Sequence, residues 1–219
     1  MDRRDRIKSP VSINGRKLTL PKGKKIILWV IVNLEVWDTE LPQPRNILPP
    51  PMGISMLPDL PNWSWHEYGM RVGFWRILET LKKRKICSTL ALNATVCDHY
   101  PEAVNAAMSE RWEPMGHGYI QKPMHKVENE FVDIKSAINK IEDFTKNKVI
   151  GWESPGLTET HNTLDILSEN GIKYTANWPI DDQPQDLNVK SGERMLTLPY
   201  PVEINDVVMT SVQAHQSNE

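Results

Sequence analysis

Short apolar runs alternate along this chain with stretches in which apolar residues recur every three or four positions, and that alternation predicts strands and helices in turn. Lys25-Ile26-Ile27-Leu28-Trp29-Val30-Ile31-Val32-Asn33 is a continuous β-branched run, the pattern of a strand buried on both faces in a parallel sheet. Residues 38–64 carry Pro42, Pro44, Pro49, Pro50, Pro51, Pro58 and Pro61, a density that predicts a long loop in place of helix or central strand. From Trp65 to Arg84, the residues Tyr68, Val72, Trp75, Ile77, Leu78 and Leu81 mark one helical face. Ile86 to Asn93 reads as a second strand. A helix starts near Pro101, with Val104, Ala107 and Met108 inward, and Trp112 to Gly116 is a third strand. Glu128 to Phe144 is helical, with Val132, Ile134, Ile138 and Ile141 on its apolar side, and Val149 to Trp152 is a fourth strand. Thr158 to His161 leads into a helix carrying Leu164, Ile166 and Leu167 and stopped by Asn170-Gly171. Ile172 to Ala176 and Met195 to Leu198 complete six strands.

Strand and helix in alternation define an α/β fold built from parallel βαβ units. No glycine-rich phosphate loop follows the first strand, which favours a (β/α) barrel over a nucleotide-binding open sheet. Residues 1–24 are polar and basic and read as an N-terminal arm; residues 25–219 suffice for one domain. The 39% apolar and 25% charged content is that of a globular protein, and a net charge of −2 offers no basic field to a nucleic acid. Two cysteines, Cys87 and Cys97, make neither a disulfide framework nor a structural zinc site, and a reducing compartment suits them. The run Ile26 to Val32 falls far short of the ~20 residues that cross a bilayer, and the first ten residues lack an apolar signal core, so a cytoplasmic location is expected.

Functional side chains of a barrel sit where strands end. Those positions hold Glu35, Asn93, the run Gly116-His117-Gly118, Glu153 to Glu159, and Trp178 to Pro184. Glu35 is the sharpest candidate for a general base, because partial burial at the mouth of an apolar strand raises a carboxylate pKa toward neutrality; the plain alternative is a solvated loop residue. His117 between two glycines is read as an accessible imidazole against which a ligand can approach closely, or as a structural histidine. Asp181-Asp182 hold a substrate or turn the chain. Trp37, Trp63, Trp65, Trp152 and Trp178 lie at or beside this rim, where flat faces stack on a sugar or heterocycle, although some serve only packing. Cys97-Asp98-His99 contains nucleophile-like residue types, yet a buried structural cysteine is the commoner use.

Several motifs in order carry a family resemblance. Trp65 to Arg76 (WHEYGMRVGFWR), Ala91-Leu92-Asn93-Ala94, Met115-Gly116-His117-Gly118, Ser154 to Thr160 (SPGLTET) and Trp178 to Pro184 (WPIDDQP) resemble the polysaccharide deacetylase superfamily, whose hallmark is the NodB homology domain. The run Pro199 to Asp206 (PYPVEIND) adds a likeness to the deacetylase-like allantoinase branch, and the resemblance spans roughly residues 25–217. Metal-dependent deacetylases of this superfamily have two adjacent aspartates after the first strand and a histidine pair spaced i, i+4. Here Glu35-Val36 and His117 with Gln121 stand at those positions, so one of three expected ligands remains. No bound catalytic metal is therefore expected; zinc held through His117 and His125 is the alternative. Family members continue past the match to Asn205-Asp206 with further strands, a final helix and often another active-site histidine. Either His215 stands in, or the barrel is incomplete at its C-terminus, which is the expectation.

The resemblance implies hydrolysis of a non-peptide carbon–nitrogen bond in a small polar amide or cyclic ureide. Glu35 would take a proton from water, and His117 would polarise the carbonyl or protonate the leaving nitrogen. Asn93, Trp65, Trp178, Asp181, Asp182 and Glu159 would hold the substrate, and backbone amides of Gly116 to Gly118 would stabilise the oxyanion. The rivals are a metal-dependent deacetylase of N-acetylated sugars and a non-catalytic carbohydrate-binding relic. A small-molecule substrate is the expected partner, with no nucleic acid and no membrane; association between copies of the chain stays open.

Overall fold

The structure, a computed structural model, describes residues 1–8, 18–41, 43, 48–54 and 56–215. Its centre is one seven-stranded sheet: β1 (Ile31–Leu34), β2 (Thr89–Leu92), β3 (Glu113–Gly116), β4 (Gly151–Trp152), β5 (Tyr174–Thr175), β6 (Gln185–Leu187) and β7 (Met195–Thr197). The spatial order is β1-β2-β3-β4-β5-β7-β6, with every neighbouring pair parallel except β6 and β7. From β1 to β5 each new strand is added on the same side, so the sheet has no switch point of the kind a doubly wound fold requires. This is the winding of a (β/α) barrel, the architecture expected from the lack of a glycine-rich phosphate loop after the first strand. Among the described residues the sheet stays open, with β1 at one edge and β6 at the other.

The helices are α1 (Leu60–Tyr68), α2 (Phe74–Lys83), α3 (Val96–His99), α4 (Pro101–Ser109), α5 (Glu130–Thr145) and α6 (Thr163–Glu169). Leu90, Leu92, Met115 and Trp152 of the strands and Ile134, Ile141, Leu164 and Leu167 of the helices are among the fully enclosed core side chains. No helix among the described residues is long and apolar enough to cross a membrane.

Four expectations are corrected. The first strand begins at Ile31 and not at Lys25, and Ile26, Ile27 and Leu28 are 83%, 62% and 75% exposed. As the edge strand, β1 has a ladder partner on one side only, so the apolar run upstream has nothing to be buried between. The proline-rich stretch does contain helix. α1 starts at Leu60 because Pro61 falls in the first turn, where its missing N–H is harmless, and Asp59 caps the end by accepting from the Asn62 amide at 3.2 Å. Pro42 and Pro44 lie outside the described residues. The predicted helix from Trp65 to Arg84 is α1 and α2 joined by a π-helical turn at Gly69–Gly73. Finally, β6 was not foreseen, because Gln185-Asp186-Leu187 is too short and polar to show strand periodicity.

The start of the N-terminal arm is docked. Ile7 bridges Leu187 on the outer edge of β6, and Arg6, 2% exposed, forms a two-pronged ion pair with Asp165 of α6 at 2.6 and 2.7 Å.

Candidate active site

β1, β2, β3 and β4 end on the same side because they are parallel and in register, so the residues that follow them share one rim. Glu35 follows β1, Asn93 follows β2, His117 follows β3 and Glu153 follows β4.

His117 is 1% exposed. Its Nδ1 lies 2.6 Å from the Glu153 carbonyl oxygen, which can only accept, so Nδ1 carries the hydrogen. Its Nε2 lies 3.1 Å from Glu35 Oε1. Glu35 is a quarter exposed, and its second oxygen accepts from the Trp37 indole N–H at 2.9 Å. Burial lowers the His117 pKa, but the Glu35 hydrogen bond and the charges of Glu153 and Glu35 overcome it and carry the group up to about 8. Glu35 is the counterpart. Burial raises its pKa, yet the hydrogen bond and charge of His117, the Trp37 donor and the nearby His66 outweigh that, and the net shift is downward. The expected upward shift of Glu35 is thereby reversed: a close histidine stabilises the carboxylate more than partial burial destabilises it.

The two glycines around His117 serve packing. A Cβ on Gly116 would sit 2.5 Å from Trp152 Cε3, and Gly118 has φ +80 with Pro155 Cγ 2.9 Å from where its Cβ would be. The imidazole is thus enclosed and not accessible, contrary to the reading of the Gly-His-Gly run. The His117 amide donates to the Leu92 carbonyl at 3.1 Å, which removes it as an oxyanion donor.

Asn93 is fully enclosed and ties three strand ends together. Its Oδ1 accepts from the Val36 amide at 3.0 Å, and its Nδ2 reaches the His117 carbonyl and, at 2.8 Å, Gln121 Oε1. Trp65, on α1, is half exposed and meets His66 edge to face at 5.4 Å, while Trp37 stacks on His66 at 5.7 Å. An aromatic wall therefore runs outward from Glu35. Glu159 and Trp178 form a second group: Glu159 accepts from Asn177 at 2.7 Å and from the Trp178 indole at 2.8 Å, and burial carries its pKa up to about 7. Asn177 also bonds Ser154, next to Glu153, which links the two groups. Asp181 accepts from the Gln183 amide and from Gln185, the pattern of a turn, and Asp182 is exposed. Trp152 is core packing, and burial pushes the Cys97 thiol up to about 11, which suits a structural cysteine.

The sequence placed Glu153 among the strand-end positions but gave it no role, and it gave none to His66. Glu153 is 4% exposed; Asn33 donates to its Oε1 at 3.1 Å, and the Tyr200 hydroxyl is the donor nearby, although Oε2 makes no hydrogen bond of good geometry. Burial raises its pKa, and the opposing His117 charge and Asn33 bond do not cancel that. A charged residue directly after a buried glycine–tryptophan strand was the available signal.

The donor set does not fit a catalytic metal of the kind the resemblance brings with it. Gln121, at the position of a second histidine, is engaged with Asn93, and His125 is exposed in the turn Met124–Lys126. Among the described residues no group of three or more His, Cys, Asp or Glu side chains is gathered to hold an ion.

A barrel-type α/β sheet with a carboxylate–histidine couple at its strand ends defines the class, and the comparisons give the family. The polysaccharide deacetylase family matches residues 65–175, half of the chain, and the chain belongs to it. A Schizosaccharomyces pombe protein that carries the polysaccharide deacetylase name is 25% identical over 161 residues, 66% of this chain and 50% of that one. Among solved structures, one named as a polysaccharide deacetylase from Pseudomonas aeruginosa PAO1 is 28% identical, with a TM-score of 0.65 over 74% of this chain and 54% of its own. Puue allantoinase is 24% identical, with a TM-score of 0.71 over 84% of this chain and 65% of its own, a likeness of fold. The chain thus spans about half the length of the curated relative.

Proposed function

We propose that this chain is a hydrolase of a non-peptide carbon–nitrogen bond that opens a cyclic amide or ureide without a metal, Glu35 acting as base toward water. The observation that carries the reading is the Glu35–His117 contact at the strand-end rim. A carboxylate held between an imidazolium and an indole N–H stays ionised and oriented at neutral pH, with a quarter of its surface open to receive water. His117 acts on Glu35, since both of its ring nitrogens face protein acceptors. Trp37, His66 and Trp65 would supply a flat wall for a planar ring. The shared fold with Puue allantoinase supports a ureide, and the lack of a cluster of three ligating side chains among the described residues supports the metal-free route.

Deacetylation of an N-acetylated sugar with a metal is the second reading, favoured by the names of the Schizosaccharomyces pombe and Pseudomonas aeruginosa relatives. The test is hydrolysis of allantoin and of N,N′-diacetylchitobiose by the purified chain with and without a chelator. Allantoin turnover that resists chelation and is lost in Glu35→Gln supports the proposal; chelator-sensitive release of acetate overturns it.

A further inference from the structure

The strand that leads to Glu35 ends at Leu34, and residues 35–37 belong to no strand or helix, so the sheet ladder does not by itself fix the side chains there. Contacts from elsewhere in the chain do. The Val36 amide donates to Asn93 Oδ1 at 3.0 Å, which pins the backbone beside the base. The ring of Trp37 is met by His66 of α1, nearly parallel to it, with 20° between the planes and 5.7 Å between the centroids. Trp65, the preceding residue of the same helix, meets His66 edge to face at 5.4 Å. The start of α1 is itself tied down: Asn62 is buried and exchanges hydrogen bonds of 2.9 and 3.0 Å with the Leu48 backbone. The contacts therefore run Trp65, His66, Trp37, Glu35, and the last is the indole N–H on Glu35 Oε2 at 2.9 Å. An indole has one N–H in a fixed direction, so that hydrogen bond lasts only while the ring is held.

We propose, on the hydrolase reading above, that His66 is a positioning residue of this site, its ring clamping Trp37 so that the indole N–H stays on Glu35 Oε2. With Oε1 on His117 and Oε2 on Trp37, the carboxylate is tied at both oxygens and its plane cannot rotate. The lone pairs left over, on the quarter of the side chain that is open, then keep one direction toward water. Without the clamp, the carboxylate hinges on His117 alone. The clamp works as an uncharged ring at neutral pH. His66 Nε2 is enclosed and has no hydrogen-bond partner among the described residues, so an imidazolium would carry a hydrogen there with nothing to accept it. Burial accordingly holds the His66 pKa below its ordinary value against the charges of Glu35 and Asp59, the titratable groups that face it.

The experiment reads the Trp37 indole N–H directly, as its hydrogen-exchange rate by NMR at neutral pH in the wild type, His66→Ala and His66→Phe. The Trp152 indole, which donates to Ser154 Oγ at 2.9 Å in the core, is the internal control. His66→Ala is expected to speed exchange at Trp37 by about tenfold or more while Trp152 keeps its rate. His66→Phe, which retains a flat ring and removes both nitrogens, is expected to recover most of the protection. Turnover is measured on allantoin, or on N,N′-diacetylchitobiose if only the sugar amide is hydrolysed. There His66→Ala should lower kcat by about tenfold to a hundredfold, and Phe should recover most of the loss. The acid limb of kcat/KM should move to higher pH in His66→Ala and in Trp37→Phe, because each leaves the carboxylate without its second donor. Wild-type exchange at Trp37 in His66→Ala, equal acceleration at Trp37 and Trp152, or His66→Phe as impaired as His66→Ala overturns the assignment. A wild-type chain inactive on both amides overturns the hydrolase reading, and the exchange rates still decide whether His66 holds Trp37.

Discussion

Glu35 Oε1 lies 3.1 Å from His117 Nε2, and His117 Nδ1 already gives its hydrogen to the Glu153 carbonyl, so this contact is a hydrogen bond only when the pair holds one further proton. With that proton on the imidazole, the contact is an ion pair at neutral pH, which is the state that the upward shift of His117 and the downward shift of Glu35 describe.

The couple should leave a signature in stability against pH. His117, raised from 6.5 to about 8, contributes stability that is complete below pH 6.5 and lost as pH rises through about 8. Glu35, lowered from 4.5, contributes stability that is present above pH 4.5 and lost as pH falls through its folded value. The Tm difference between the wild type and His117→Asn is therefore expected to be largest between pH 4.5 and 6.5 and to shrink above pH 8. A difference that grows steadily with alkaline pH would refute the assignment.

Glu159 predicts a slope of the same sign as that of His117, at lower pH. Its pKa, raised from 4.5 to about 7, means that the folded chain binds more proton than the unfolded chain across that interval, so its contribution falls as pH rises through it. Replacing it with Gln removes an acceptor from Asn177 or Trp178 and so shifts Tm by an offset. On top of that offset, the Tm of Glu159→Gln minus wild type should climb between pH 4.5 and 7 and then level. Thermal melts across the interval check it.

Gly116→Ala is expected to destabilise by about 1–3 kcal/mol through overpacking. Its new Cβ would fall 2.5 Å from the Trp152 ring, which is enclosed and cannot yield. Because Gly116 immediately precedes His117, the imidazole should move as well, read as a changed His117 titration by NMR. Denaturant unfolding at neutral pH measures the first effect.

The Arg6–Asp165 pair holds the start of the chain to α6. Both residues are almost fully enclosed, so Arg6→Met leaves a buried carboxylate without its guanidinium and should cost about 3–5 kcal/mol. Lys190, which also reaches Asp165 at 3.1 Å, moderates the loss. The double variant Arg6→Met with Asp165→Leu should recover much of it, and a double-mutant cycle in urea tests the coupling.

How far the sequence alone reaches follows from which interactions are local. Apolar spacing is a property of neighbouring residues, so it determined the strand–helix alternation, the parallel winding, and most core side chains, including Leu90, Ile134, Ile141 and Leu164. Strand ends followed from it, which is why Glu35, Asn93 and His117 could be placed on one rim. What the tertiary structure decided depends on groups far apart in the chain. Ile26 to Leu28 look like core until the sheet order makes β1 an edge. Glu35 looks like a carboxylate raised by burial until His117, 82 residues on, pairs with it and reverses the sign. The glycines beside His117 look like room for a ligand until Trp152 and Pro155 fill it. Burial, charge pairing and close approach are set by all the elements that meet at a point, and only the folded chain specifies which those are.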